Sequence, residues 1–466
     1  MKRFGTNIVA AALAVNLGAG VALAQEAVPT LRSVPAGTPI QTPSGAITLE
    51  KALSMAKKSN HGIAAEKAKL AQARTSLETA WSTLFPTVAA QGRYSRNYKP
   101  FIFTLFKQEN GMTVIDPVTM MPIPDPLTIQ PINQFDGSIN ATMPIIAPAA
   151  YPAINAVKAN VEAAEANYEA SEADIFVGVA QAYLAAAVAD EVLAARASAI
   201  QVAKATLTNA QTRREAGTVT KVDVDRAELA VVRAEQNERD ARNGRTRAYR
   251  TLGTLIGIQG EFAIQPEIPT AALPDARNLD MALHLRPEFA AIEASIVAAQ
   301  KTARARAWQW APTLSAFGNA RVFNYDNFAR DSYSWVVGGQ LDWVLFDGGK
   351  RDADRHAANA QAAEGVARSL ALRDRIRDDL ANSSDQLEVN RRGVEAANRQ
   401  VELARETLEL VRVQYESGVG TQLDLLAAQD AIVIAHLGLA QAHFDVAAAE
   451  LSLRHAAGTF PPKDLK

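Results

Sequence analysis

The 466-residue sequence contains no cysteine, and aromatic residues make up only 6% of it. Without thiols there is no disulfide framework, no thiolate metal site and no cysteine nucleophile. An excess of one charge is missing too: 48 Lys and Arg stand against 50 Asp and Glu, a formal net charge of −2, with both signs interspersed. A phosphate backbone demands a basic surface that this pattern does not supply, so nucleic acid is not an expected partner. Enzymatic signatures are equally scarce. The six histidines form no His-x-x-x-His pair, and His436 and His443 lie seven apart, along one side of a helix, without the further ligands a metal requires. Asp347-Gly348-Gly349 lacks the Gly-Lys-Ser/Thr of a phosphate loop, and no Gly-x-Ser-x-Gly occurs. The expectation is a non-enzymatic chain with no cofactor and no metal.

Long uncharged apolar runs are confined to the start. Lys2 and Arg3 precede an uncharged stretch from Phe4 to Val21, and Ala22-Leu23-Ala24 stands before Gln25, which predicts a signal peptide over 1–24. Residues 25–46, punctuated by Pro29, Pro35, Pro39 and Pro43, read as an extended segment. Beyond them no window of 18 apolar residues is free of charge, so no transmembrane helix is expected. An exported chain of this kind that reaches a membrane enters it as strands.

What is present is a chain written twice. Gly217-Thr218-Val219-Thr220-Lys221-Val222-Asp223-Val224 matches Gly418-Val419-Gly420-Thr421-Gln422-Leu423-Asp424-Leu425, and alanines seven apart (Ala227, Ala234, Ala241, Ala248) match Ala428, Ala435, Ala442 and Ala449 at the same spacing. Both halves open alike, with Leu49-Glu50-Lys51-Ala52-Leu53 against Leu279-Asp280-Met281-Ala282-Leu283. The predicted division is a first repeat over 47–262, a linker over 263–278, a second repeat over 279–458 and a tail over 459–466.

From Leu380 through Leu387, Val394, Val401 and Leu408 to Tyr415 the apolar residues recur every seven positions, a coiled-coil seam. Residues 152–216 and 352–416 predict rods that, at 1.5 Å per residue, approach about 100 Å. Gly217 and Gly418 each stop a rod, and Thr220 and Thr421 each begin a capping box with Asp three residues on, so both rods turn back as helical hairpins. The returning helices are predicted over 221–256 and 422–457, and shorter N-terminal helices over 49–84 and 279–310. Tyr415 reads first as a core position and Asp223 and Asp424 as caps.

Between helices the period falls to two. Val88, Ala90, Gly92 and Tyr94 alternate with Ala89, Gln91, Arg93 and Ser95; Ile139, Ala141 and Met143 alternate with Ser138, Asn140 and Thr142; in the second half Leu314, Ala316, Gly318, Ala320 and Val322 form one face, and Trp335, Val337, Gly339 and Leu341 stand opposite Ser334, Gly338 and Gln340. Tilted membrane strands need about this length. A half-buried sheet in a soluble domain gives the same alternation. Tyr98–Gln134, dense in Pro and Met and interrupted by Gly111, reads as a long loop. Four strands cannot close a barrel, so in lipid several copies would share one.

The ordered set of duplicated halves, Gly-x-x-Thr-x-x-Asp tips, heptad alanines and Phe346-Asp347-Gly348-Gly349 at the strand-to-helix junction resembles the TolC family of bacterial outer-membrane efflux and secretion channels, across nearly all of the chain after the signal peptide. The resemblance implies a mainly α fold with a membrane part: a homotrimer in which four strands per protomer make a twelve-stranded barrel in the outer membrane, continued by an α-helical tunnel in the periplasm. It implies a passive exit duct served by a periplasmic adaptor and an inner-membrane pump, either proton-driven or an ABC exporter. Gly217, Thr220, Gly418 and Thr421 would then mark the tips where the adaptor docks. Asp424 falls on a ring aspartate, Tyr415 on the gate tyrosine and Asp223 on a gate aspartate, while Gly420 and Ala427 depart from the family pattern, leaving Lys221 and Arg214 to close the entrance. Gln91, Arg93, Asn140 and Gln340 are the expected lumen residues. A soluble periplasmic coiled-coil adaptor or scaffold is the alternative.

Overall fold

The computed structural model describes residues 45–265, 273–274, 278–326 and 331–461; the expected signal peptide, most of the extended segment, much of the linker and the last five residues lie outside it. Helices α1 (Leu49–Ser59) and α2 (His61–Ser82) lead into strands β1 (Thr87–Arg96), β2 (Phe101–Phe106), β3 (Gln108–Glu109), β4 (Met112–Thr113), β5 (Pro124–Gln130) and β6 (Asn133–Ile146). The rod α3 (Ala150–Glu215) and its return α4 (Lys221–Ile256) follow. The second half follows with two helices, two strands, a rod and its return, and no counterpart of β2 to β5 among the described residues: α5 (Leu279–Leu285), α6 (Pro287–Ala307), β7 (Thr313–Phe323), β8 (Tyr333–Asp342), α7 (Lys350–Glu416) and α8 (Gln422–Ala456).

Both rods end where the sequence says they should. Gly217 and Gly418 adopt φ of +76° and +79°, left-handed values that cost any other residue a Cβ clash, and Thr220 and Thr421 open the returning helices with complete capping boxes. Along α7 every heptad position from Leu380 to Tyr415 is buried or half-buried. The heptad alanines of α4 and α8 are also at least half-covered, so small side chains bring the helices together over the length of each hairpin.

Two readings change, and a third meets a contrast in composition. The N-terminal helices are each broken in two, at Asn60 and at Arg286. Asn60 caps the second piece by accepting from the Gly62 and Ile63 amides and donates to Leu255 O at 2.9 Å, while Pro287 pushes Arg286 out of the helical region. The expected loop over Tyr98–Gln134 instead carries strands β2 to β5, in which β2 pairs with β5 and Asn110-Gly111, both with positive φ, make the β3–β4 turn. Finally, α3 and α8 each hold an 18-residue stretch of mean hydropathy 1.5, long and apolar enough by composition to cross a membrane. Alanine raises the hydropathy of both without supplying large apolar side chains.

The main core gathers where the first hairpin ends. Leu53 and Ala56 of α1, Phe176, Val179 and Tyr183 of α3, and Leu252 and Ile256 of α4 are buried together, joined by Phe460 near the C-terminus. Tyr183 donates its hydroxyl to Ile47 O at 3.0 Å. Gly257, with φ +76°, ends α4 against the Ser59 kink, and Gly458, with φ +70°, meets Leu285 and Arg286 in the same way.

Strands β1, β6, β7 and β8 form one antiparallel sheet in that order. Its register runs Ala89↔Asn140↔Asn319↔Val336 and Gln91↔Ser138↔Arg321↔Ser334. Paired residues share a face, so one side of the sheet carries Val88, Tyr94, Ile139, Met143, Trp335, Val337 and Leu341, all exposed. The other side is mostly polar, with Ala89, Val336, Phe317 and Phe323 among its apolar members; the Phe317 ring packs over Gly338, where a Cβ would stand 2.9 Å away. Both outer edges, on β1 and β8, lack a strand partner among the described residues.

Candidate functional site

Two regions carry the polar residues picked out in the sequence: the hairpin tips and the polar face of the sheet. At the first tip the Thr220 hydroxyl donates to Asp223 Oδ2 at 2.7 Å, the Thr220 amide reaches the same oxygen at 3.0 Å, and the Asp223 amide returns to Thr220 Oγ1 at 3.3 Å. Thr421 and Asp424 repeat this at 2.6, 3.2 and 3.2 Å. The threonine hydroxyl first, and the backbone amide next, hold both carboxyls below their ordinary range.

Tyr415, in the last turn of α7, is 5% exposed. The group that covers it is Arg213, in the last turn of α3. Its guanidinium lies 4.3 Å from the ring centroid and donates to Tyr415 O at 3.0 Å, tying the two hairpins together at their ends. Burial raises the phenol above its usual range, with the Arg213 charge opposing and the Asp223 charge adding to the shift. The Tyr415 hydroxyl and both polar side-chain atoms of Gln422 are buried without a hydrogen-bond partner among the described residues.

Of the two cations read as closing groups, Lys221 pairs with Asp225 of its own helix at 2.8 Å, and Arg214 is exposed. Neither touches Tyr415 in the bonds described; Arg213, one residue before Arg214, does. The only signal for it was its place in the last turn of a rod. Gly420 has a local reason to be glycine: a Cβ there would stand 3.0 Å from Tyr415 N, and its own amide donates to Gln414 O at 2.8 Å. Ala427 is exposed.

The register puts Gln91, Arg93, Asn140 and Gln340 on one polar face. It adds a group that the sequence reading missed. Asp136 on β6 accepts from Arg321 Nε at 3.0 Å, from Tyr325 Oη at 3.0 Å and from Gln134 Nε2 at 3.0 Å. Carrying the Asn140-Ser138 alternation one step further would have reached it. Where strands give way to helices, Trp308, Trp310, Trp343, Phe85 and Phe346 are exposed. Buried Arg351 lies 3.9 Å from the Trp310 ring centroid and donates to Asp347 at 2.8 Å. Among the described residues no group of three or more His, Asp or Glu side chains is arranged to hold a metal, and His436 and His443 are exposed on α8.

The family described as outer membrane efflux protein matches residues 52–258 and 278–459. The alkaline protease secretion protein AprF of Pseudomonas aeruginosa is 24% identical over 269 residues, 54% of this chain and 54% of AprF. The outer membrane efflux protein BepC of Brucella suis is 25% identical over 316 residues, 66% of this chain and 67% of BepC. The chain thus aligns with about half the length of the first of these relatives and two thirds of the second. Among solved structures, CusC superposes with a TM-score of 0.71 at 16% identity, covering 88% of this chain and 91% of that one. The outer membrane protein VceC of Vibrio cholerae superposes with a TM-score of 0.68 at 18% identity, covering 88% and 96%.

Proposed function

Since the chain belongs to the outer membrane efflux protein family, we propose that it is the outer-membrane channel of an efflux or secretion assembly, a passive duct built from three copies. One observation carries this reading. A four-stranded antiparallel sheet with an exposed apolar face and two edges unpaired among the described residues is joined directly to rods about 100 Å long. Lipid does not tolerate open edges, and β1 and β8 run in opposite directions, so β8 of one copy can pair antiparallel with β1 of the next. Three copies would give twelve strands, with the apolar face toward outer-membrane lipid and Gln91, Arg93, Asn140 and Gln340 toward the lumen. The exposed tryptophans at the strand-to-helix junction suit the periplasmic membrane–water interface of the outer membrane.

In this reading the hairpin tips, with Gly217, Thr220, Gly418 and Thr421 at their turns, face an adaptor in the periplasm. Asp223, Asp424 and Tyr415 line the entrance, and Arg213 holds it in the place expected of Lys221 and Arg214. In this reading the duct is passive, and energy enters through an inner-membrane pump. Family membership favours this channel over the soluble scaffold. AprF is named for protease secretion and BepC for efflux, so both kinds of pump fit. In-cell cross-linking of tagged protein, followed by mass spectrometry of the outer-membrane fraction, tests the reading. A trimer recovered with an adaptor and a proton-driven exporter indicates small-molecule efflux; a trimer recovered with an ABC exporter indicates protein secretion. A soluble monomer without envelope partners refutes the channel.

A further inference from the structure

Taken one by one, the polar positions on the strands select no chemical class, but their arrangement on the sheet does. Strand β1 runs from the helix junction at Thr87 outward, which places Arg93 about 20 Å up the sheet, near its outer end. Directly across from it in the register is Asp136. That carboxylate is already committed: its side chain is only 12% exposed, Arg321 donates to it through two nitrogens, and Tyr325 and Gln134 complete its shell. Arg93 Nη2 lies 3.9 Å from Asp136 Oδ2, a long ion pair without a hydrogen bond, and its side chain is 74% exposed. Two cations therefore share one anion at this level, and their neighbours on the same face, Gln91, Ser138, Asn319 and Ser334, are neutral. The other acidic group on the face, Asp342, sits at the opposite end of β8, where Gln340 donates to it at 2.9 Å.

We infer that Arg93 is a charge-selecting residue at the outer end of the duct, favouring anionic over cationic solutes in the barrel. The inference rests on the polar face lining the lumen of a shared barrel. Three copies would set three Arg93 guanidinium groups at one height, each left over after Asp136 is matched by Arg321. Low-dielectric walls around a narrow aqueous path concentrate the field of such a ring. A guanidinium does not lose its charge at any pH the envelope meets, so the preference is permanent.

Purified full-length protein in planar bilayers under a KCl gradient tests this through the reversal potential, which reports the chloride-to-potassium permeability ratio. Arg93→Gln is expected to lower that ratio roughly twofold at about 0.1 M salt and Arg93→Glu to lower it further, both effects shrinking at about 1 M salt where the screening length is near 3 Å. Asp136→Asn, which leaves both arginines uncompensated, moves the ratio the opposite way. Asp136 is part of the packed rim and its variant can fail to assemble; Arg93 is exposed, so the two Arg93 variants decide the matter alone. Conducting channels whose ratio is unchanged in both overturn the charge-selecting role while leaving the duct in place. A wild-type protein that forms no channels at all overturns the duct.

Discussion

Arg213 joins two helices whose chain positions are some two hundred residues apart, using a ring face and a carbonyl on the same tyrosine. A cation over a buried ring, with a charged donor to a backbone oxygen, contributes about 2 kcal/mol. Arg213→Ala is therefore expected to shift the balance between closed and open tips more than tenfold per protomer, seen as larger and more frequent openings in planar bilayers. Unchanged conductance would assign Arg213 a packing role only. A second residue bears on pH. His455, in the last turn of α8, has its imidazole pKa lowered by burial first and by the Arg286 charge next, against Glu288, Asp174 and Asp379, which raise it. The folded chain resists the proton that the unfolded chain accepts. Stability is thus complete above about pH 6.5 and falls as pH drops through that value toward the folded pKa. Thermal unfolding of His455→Gln should lose less midpoint temperature between about pH 7.5 and pH 5 than the parent does.

At the scale of elements, each returning helix ends on a glycine that meets the kink of an N-terminal helix. A Cβ at Gly257 would stand 2.5 Å from Ser59 Oγ and its φ is +76°, so Gly257→Ala is expected to cost about 2 kcal/mol. Gly178, inside α3 with open space around it, is the contrast: Gly178→Ala should be neutral or stabilising by up to about 1 kcal/mol. Circular dichroism of detergent-solubilised variants measures both. The hairpins were legible in the sequence because their stops, caps and seams are local signals, and the sheet because its faces alternate. The β2–β5 hairpin was not: Phe101-Ile102-Phe103-Thr104-Leu105-Phe106 is apolar nearly throughout, so no alternation marks it as a strand. Its placement depends on a distant contact, since Thr128 exchanges bonds with Asp326 of the second half, accepting from its amide at 2.9 Å and donating to its carboxylate at 2.9 Å. The Arg213–Tyr415 contact was hidden for the same reason, whereas the break at Arg286 has a local cause in Pro287 that the reading of a single helix over 279–310 passed over.

On the scale of the whole molecule, the apolar face of the sheet has no cover among the described residues. Val337, in the middle of β8 and exposed, is expected to face lipid, so Val337→Arg should cost about 2–4 kcal/mol and deplete the protein from the outer-membrane fraction. Immunoblotting of separated membranes reads this, and normal levels of the variant would count against a lipid-facing position. The rods hold a different consequence. They contain 66 and 67 residues, and because they match, the last turn of one can touch the last turn of the other. Lengthening a single rod by a heptad would slide its end by about 10 Å and part Arg213 from Tyr415. Insertions and deletions in this chain are thus bound to one another across the two halves: a change of reach is heritable only in duplicate, and the distance the protein spans is counted in whole heptads, twice.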